Sequence, residues 1–520
     1  MHDAHELKTF ALALLSLLIV AIAHALAYDA PFEDAFITYR YAEHFAAGHG
    51  LVYNIGDSVD GYSSALWTLL LGVLAWLGAP PPVIAPILSL LAGLCTIACS
   101  ADLARRQLGL HARSLWPLLP AALLAAHGGW AYYASSGMEA TLFSCLVAGT
   151  VLLVALPRTT GRLIGTGILM ALAAITRPEG VAYVALLLAA LALGWPKRDV
   201  QLIALVFALL FVPYFIAHWS YYGYPFPNTY YAKASPSRAL FVAGLRQTEA
   251  YLTSHGYWVA VVAIGYLLAS QRGERFWYLV AAVILSSLVT TIFVGGDAFP
   301  FRRFMLPQVP FGAIAVVAAV WRGPARFAPL PRRMLGAGAA LMWLALVGAA
   351  SHLPIRTLCS QNARSERRQY LDVRAINANY FVVGEYLRRQ WPPKTLVATN
   401  AAGIVPYVSG LPTIDMLGLN DRHIAHLPIT LGHGVSGHEK YDAGYVLARK
   451  PDVILLGLPM LAKRPLRPGE LDVWIGKFLP FLPGDRALWQ SEEFRRTYAP
   501  TGLNLEGGHL VFFVRRPDAQ

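Results

Sequence analysis

TFALALLSLLIVAIAHALAYDAPFEDAFITYR, residues 9–40, decides how this chain is read. The run 9–28 is apolar, and about 20 such residues suffice for a helix to cross the hydrocarbon core of a bilayer. Glu33 and Asp34 follow almost at once. A carboxylate pair at the mouth of a span is costly unless it is solvated or paired. It is also well placed for general-base work on a substrate arriving at the membrane surface. Ala23-His24-Ala25 resembles a signal-peptide cleavage site, but the length of the run favours a first span.

The rest of the chain has the composition of a polytopic membrane protein. Of its 520 residues, 56% are hydrophobic and 14% charged, against about 25% charged in soluble chains. The net charge of +12 does not point to nucleic acid. The arginines fall in short loops between apolar runs, which is the positive-inside pattern. Cys95, Cys99 and Cys145 lie in apolar runs and Cys359 stands beyond the last, so they give neither a disulfide framework nor a metal spacing.

Apolar runs fall at 9–28, 64–79, 82–102, 114–127, 140–157, 162–176, 179–196, 200–219, 257–270, 276–294, 306–322 and 333–352. Basic marks then orient them. Lys8, Arg105/Arg106/Arg113, Arg158/Arg162, Lys197/Arg198, Arg272/Arg275 and Arg322/Arg326/Arg332/Arg333 all belong inside. Residues 29–63 must then be outside and 103–113 inside, so only one of the two intervening runs crosses. The run 64–79 is short, rich in Trp and Leu, and followed by prolines, which suits a helix lying in the interface. The expectation is eleven spans, a cytoplasmic N-terminus, and an α/β domain at 353–520 outside. A membrane domain at 1–352 would include the first outer loop, 29–81.

The outer loops hold the unusual polar chemistry. Asp34 to Ala47 suits a helix ended by Gly48 and Gly50. Glu33 and Asp34 at its start could be capping carboxylates or catalytic ones. Tyr39, Arg40, Asn54, Asp60 and Tyr62 follow in the same loop and resemble a carbohydrate-facing surface. Glu139 follows SSGM and could cap the next span. In TRPEG, Arg177 stands outside with Glu179 as its nearest ionic partner. PNTYYAK carries Asn228, Tyr230 and Lys233, and GGDAFPFRRF carries Asp297, Arg302 and Arg303. Four outer cations at a membrane surface are what a lipid-linked phosphate needs.

In the C-terminal part, KTLVATN, PDVILLG and LVFFVRR read as buried strands, and NAAGIVPYVSG as a short helix with a glycine stop. LPTIDMLGLNDRHIA, with Asp415 and Asp421, reads as an acceptor-facing loop. His433 and His438 lie in a Gly-rich loop that suits mobility better than metal binding.

DAFITYRYAEHFAAGHGLVYN…GYSSALW, SGMEA, TRPEG, PNTYYAK, GGDAFPFRRFMLP and IDMLGLNDRHIA, in that order, resemble the GT-C superfamily of membrane glycosyltransferases. The likeness covers about residues 30–425 and is strongest to the group of mycobacterial terminal arabinofuranosyltransferases and flagellar motor control proteins. It implies a GT-C fold and a polyprenyl-phosphate sugar donor. Catalysis would rest on the first-loop acidic pair, with Asp34 as base and Glu33 as support. It also implies an interfacial helix after that loop. Arg177, Lys233, Arg302 and Arg303 would face the donor phosphate. Tyr39, Arg40, Asn54, Asp60, Tyr62, Glu139, Glu179, Asn228, Tyr230, Asp297 and Asp421 would face substrate. The sugar expected is D-arabinofuranose, with mannose or another pentose open. The acceptor is a glycan or a protein, and the site is the periplasmic face of a bacterial inner membrane. No cofactor is required by the sequence, and room is left for a divalent cation. A lipid-linked sugar flippase and a non-enzymatic assembly factor are the readings from other classes. Against them, no internal repeat or mid-membrane polar cluster stands out, and the polar groups gather at one face.

Overall fold

The long apolar runs are α-helices in the computed structural model. It describes residues 2–517 apart from 29–30, 110–114, 235–236, 272–273, 298, 300, 436, 459–460, 468, 478, 481 and most of 323–364. Most of the run 333–352, the boundary at 352/353, Cys359, and Arg113, Arg272, Arg326, Arg332 and Arg333 lie outside the described residues.

Among the described residues, five helical stretches are long and apolar enough to cross a bilayer: Lys8–Leu26, Pro81–Leu108, Lys197–Tyr222, Phe276–Phe293 and Arg303–Arg322. Two more are bent. Gly128–Ser135 meets Ala140–Ala155 at 111°, and Arg238–Ser254 meets Trp258–Ser270 at 90°. Gly137 (φ 76°) and Gly256 (φ 67°) sit at the two breaks, in backbone that a Cβ would penalise. Trp116–Ala126, Thr160–Thr176, Gly180–Ala192 and Ala65–Trp76 are shorter apolar helices. Length alone therefore counts five crossings, or seven with the bent pairs, against the eleven expected. The other four expected crossings fall on three of the short helices and on 333–352. The run 64–79 is the helix Ala65–Trp76.

Two stretches expected as loops are helical. Residues 128–139 contain Gly128–Ser135, whose leading glycines hide it. Residues 220–256 contain Asn228–Lys233 and Arg238–Ser254, the second too polar to register as an apolar run.

The chain divides into two compact units, each built from three stretches. The first takes residues 1–29, 85–216 and 242–370 and is a bundle of the apolar helices. Several of its buried hydroxyls are spent locally. Thr96, Thr150, Ser286 and Thr291 donate to the carbonyls of Ala92, Leu146, Ala282 and Ser287. That removes the cost of a lone polar group in an apolar interior. Gly244 packs against the backbone of Ile292, where an added Cβ would lie 2.2 Å from the carbonyl oxygen.

The second unit takes 30–84, 217–241 and 371–520, so the first loop groups with the C-terminal part and not with the apolar helices. Strands β1 (Val397–Thr399), β2 (Thr413–Asp415), β3 (Val453–Leu455), β4 (Tyr498–Leu505) and β5 (Gly508–Arg515) form one sheet ordered β2-β1-β3-β5-β4. β1 pairs in parallel with β2 and β3, while β5 pairs antiparallel with β3 and β4. Ala398, Ile414, Ile454, Phe494, Tyr498 and Phe513 lie in its core. The expected strands at 394–400, 451–457 and 510–516 correspond to β1, β3 and β5. β2, with only three residues, and β4, interrupted by a proline and a glycine, were not legible.

Helix α1 (Ala35–Ala46) carries the first-loop motif and buries Ala35 to Ala42. It packs on α2 (Ile404–Ser409), the expected short helix stopped at Gly410 (φ 68°). Phe36 makes edge contacts with Tyr407 and Phe381 at 5.2 and 5.4 Å, close enough for favourable aromatic pairing.

Candidate active site

Asp34 is the N-cap residue of α1, but its backbone is helical and its side chain makes no capping hydrogen bond. The capping explanation for this carboxylate therefore fails. Glu33 is held differently. Its Oε1 accepts the Gly403 N–H at 2.6 Å, and an added Cβ at Gly403 would lie 2.0 Å from the Glu33 carbonyl oxygen. Only glycine allows this approach. Asn377 Nδ2 donates to the Pro31 carbonyl at 2.6 Å and fixes the entry of the segment. Burial pushes the Glu33 carboxyl well above its ordinary range. The Asp34 charge and a hydrogen bond with Asp34 add to this, and the Gly403 N–H opposes it. Glu33 is thus the member of the pair driven to hold a proton.

Asp415 at the end of β2 is a third carboxylate near the pair and raises Glu33 further. It accepts from Leu417 N, Asn420 N and Asn420 Nδ2 at 3.0, 2.8 and 3.0 Å. Burial still pushes it up to about 6. Sequence reading placed Asp415 in a loop and gave it no part beside Glu33. The signal was the acidic residue in TIDMLGLND, but nothing in spacing could join it to the first loop.

The structure uses several of the expected substrate residues as fasteners. Arg40 is buried. Its Nε donates to Tyr53 O at 2.7 Å, its Nη2 to Leu411 O at 2.9 Å and Asn54 Oδ1 at 3.4 Å, and its Nη1 to Pro406 O. Asn54 pairs with Thr413 like an extra strand residue, giving Nδ2 to its carbonyl and taking its N–H at 2.9 and 3.0 Å. Tyr39 is buried between Phe36 and Tyr407. Tyr62 accepts from Tyr222 at 3.0 Å.

Asn228 clamps the Gly-Leu-Asn-Asp turn, its Nδ2 reaching Gly418 O, Leu419 O and Asp421 O at 2.8, 3.1 and 3.2 Å. Asp421 caps the helix Arg422–Ala425 through Ile424 N and accepts from Tyr445 at 2.9 Å. Tyr230 is exposed. Lys233 lies along Gly437, whose added Cβ would meet Lys233 Cε at 3.0 Å. The histidine loop is organised around Glu439, which accepts the N–H groups of Gly432, His433 and Gly434. Among the described residues no three His, Cys, Asp or Glu side chains converge as a metal set.

In the first unit the sequence-expected cations meet carboxylates. Arg177 gives Nη1 to Glu139 and Nε to Glu179, so the internal ion pair expected at TRPEG forms and recruits Glu139 as well. Glu139 makes no capping bond. Arg303 Nε lies 3.6 Å from Asp297 Oδ2, and its guanidinium stands over Phe299 at 4.3 Å. Arg302 Nη1 donates to the Asp297 carbonyl at 2.6 Å. Burial pulls the Arg302 guanidinium below its usual pKa, and Asp297 opposes that. Phe301 and Arg302 both hold positive φ, 63° and 49°, a strained arrangement for non-glycine residues that concentrates at functional sites. Arg177 and Arg303 here meet carboxylates, whereas Arg302 donates to a neutral carbonyl.

The whole chain resembles the crystal structure of apo ArnT from Cupriavidus metallidurans with a TM-score of 0.54 at 14% identity, covering 99% of this chain and 98% of that one. At that identity the likeness concerns the fold, which is GT-C with a multi-pass membrane part. Two terminal beta-(1->2)-arabinofuranosyltransferases are similar in sequence. The Mycobacterium tuberculosis protein is 28% identical over 269 residues, 46% of this chain and 41% of that protein. The Corynebacterium glutamicum protein is 28% identical over 320 residues, 53% and 46% respectively. The matches span less than half the length of either relative. Residues 366–503 match a family model described as Domain of unknown function (DUF8728).

Proposed function

We propose that this chain is an inverting membrane glycosyltransferase. It moves a sugar, foremost D-arabinofuranose, from a polyprenyl phosphate to an acceptor hydroxyl of a glycan or protein. The reaction is placed on the periplasmic face of the inner membrane. The observation that carries this reading is the Glu33–Asp34 pair, with Asp34 released from capping and Glu33 driven towards its protonated form.

Asp34 takes the proton of the acceptor hydroxyl as that oxygen bonds to the anomeric carbon. The bond from the anomeric carbon to the phosphate oxygen breaks, and polyprenyl phosphate leaves as an anion. The proton ends on Asp34, and a single displacement inverts the anomeric centre. Glu33, neutral and hydrogen-bonded to Asp34, holds that carboxylate in place without adding a second negative charge. The leaving phosphate needs preorganised positive charge. Arg302 and Lys233 are assigned to it. Arg177, bridged to Glu139 and Glu179, and Arg303 position the segment that carries Arg302.

The test is consumption of a panel of polyprenyl-phosphate sugars by the purified full chain. Turnover of the arabinofuranose donor above the mannose and other pentose donors is expected. Preference for another sugar moves the assignment within glycosyl transfer, and no consumption of any donor refutes it.

A further inference from the structure

We propose that Tyr380 is a further substrate-binding residue of the carboxylate site, its phenol donating a hydrogen bond to a hydroxyl of the transferred sugar. The part given to the transferred sugar rests on the glycosyl transfer proposed above.

Tyr380 lies on the helix Glu366–Gln390. Residues three and four apart share one face of a helix, so Asn377, Tyr380, Phe381 and Gly384 form a stripe along it. The neighbours of that stripe locate Tyr380. Asn377 donates to the Pro31 carbonyl at 2.6 Å, and Phe381 meets Phe36 at 5.4 Å. An added Cβ at Gly384 would lie 2.8 Å from Val408 Cβ. Pro31 and Phe36 flank the carboxylate pair in sequence. Val408 belongs to α2, which starts beside the Gly403 that holds Glu33. Between these contacts Tyr380 is set against Glu33 and Asp34, and both carboxyls act electrostatically on its phenol. All of these residues belong to the second unit.

Tyr380 is 4% exposed, yet its hydroxyl forms no hydrogen bond among the described residues. Buried polar groups left without hydrogen bonds are rare and ask for an explanation. Burial pushes the phenol well above its ordinary pKa, and Glu33 and Asp34 push it further. It therefore keeps its proton and can donate. The negative charge at Asp34 opposes an anion, which excludes the leaving phosphate as the acceptor of that bond and leaves a neutral oxygen. Attack brings the anomeric carbon to roughly 3–3.5 Å from the oxygen whose proton Asp34 takes. The hydroxyls beside that carbon are then the neutral oxygens that come within range. Asp34 is only half-buried, so a substrate can reach it. The other buried carboxylate of the first loop, Asp60, is already paired with His218 Nε2 at 2.8 Å and takes no part.

The experiment uses the full-length protein in nanodiscs, the polyprenyl-phosphate donors of arabinofuranose and mannose, and monodeoxy analogues of each. Tyr380→Phe keeps the ring and removes only the hydroxyl, so Tm should be unchanged. Donor binding should weaken about fivefold to tenfold, both in the otherwise wild-type chain and in the Asp34→Asn background. In turnover, kcat/KM for the donor should fall by about the same factor, with the acceptor KM unchanged. One monodeoxy donor should erase the difference between wild type and Tyr380→Phe, because it lacks the hydroxyl that the phenol holds. Donor binding indifferent to Tyr380→Phe, a penalty equal on every monodeoxy donor, or no binding of either donor overturns the contact. A rise confined to the acceptor KM overturns its assignment to the transferred sugar. A fall in Tm with an equal loss on every donor makes Tyr380 structural. A wild type that binds donor more tightly than Tyr380→Phe but consumes none supports the sugar contact and refutes glycosyl transfer instead.

Discussion

Two adjacent carboxylates differ here because their surroundings differ. Glu33 is buried against the Gly403 N–H and next to a negative neighbour, while Asp34 stands at a helix start without capping it. Arg40 shows the opposite case, a charge that looked chemical and is structural. Its donors reach the carbonyls of Tyr53, Pro406 and Leu411 and the side chain of Asn54, joining the first loop to the C-terminal fold of the same unit. Lysine has no planar fork and cannot replace it. Arg40→Lys should cost about 2–4 kcal/mol of stability, read as a fall in Tm, with KM values unchanged in the molecules that stay folded. An unchanged Tm with a raised KM would return Arg40 to a substrate role.

At the scale of elements, the motifs of the first loop, PNTYYAK and IDMLGLND were read as chemistry, and the structure shows many of them as fasteners. Asn228 in one motif holds the turn of another, and Asn54 closes the edge of β2. That division was not legible because sequence shows which residues are polar, not which polar atoms are already bonded. The α1 helix and the ends of α2 were legible, since apolar spacing and glycine stops are local signals. The close approach of Gly403 to Glu33 was not, because it joins distant parts of the chain. Gly403→Ala would place a Cβ 2.0 Å from the Glu33 carbonyl oxygen. The carboxylate pair must then shift, and a displacement of that size should lower turnover about a hundredfold. Turnover equal to wild type would mean that the pair's position does not matter.

At the scale of the molecule, the membrane class was fixed by composition, and the apolar runs on described residues are helices. The count of crossings was less legible, because several expected crossings fall on helices too short to span by length alone, and two fall on helices bent sharply against a preceding helix, at breaks holding Gly137 and Gly256, that the sequence reading took for loop. The C-terminal sheet carries its own pH signature. Asp485 accepts from Asn400 Nδ2 at 2.8 Å and from Gly457 N, yet burial pushes its carboxyl up from 3.8 to about 6. The folded state therefore binds the proton more tightly than the unfolded one, and this contribution is fully present below about pH 4 and lost as pH rises through about 6. Relative to Asp485→Asn, the wild type should lose roughly 3 kcal/mol over that interval, seen by scanning fluorimetry of both proteins across pH. A difference between the two that does not change with pH would contradict it.

The central claim is that Asp34 is the base and Glu33 its protonated support. The most direct measurement is turnover of Asp34→Asn and Glu33→Gln, side by side at neutral pH with the same donor and acceptor. Asparagine cannot take the proton, so Asp34→Asn should lose about 10²–10⁴-fold in kcat. Glutamine matches a protonated glutamate in shape, so Glu33→Gln should stay within about tenfold of wild type. Loss in Glu33→Gln with activity kept in Asp34→Asn would contradict the account.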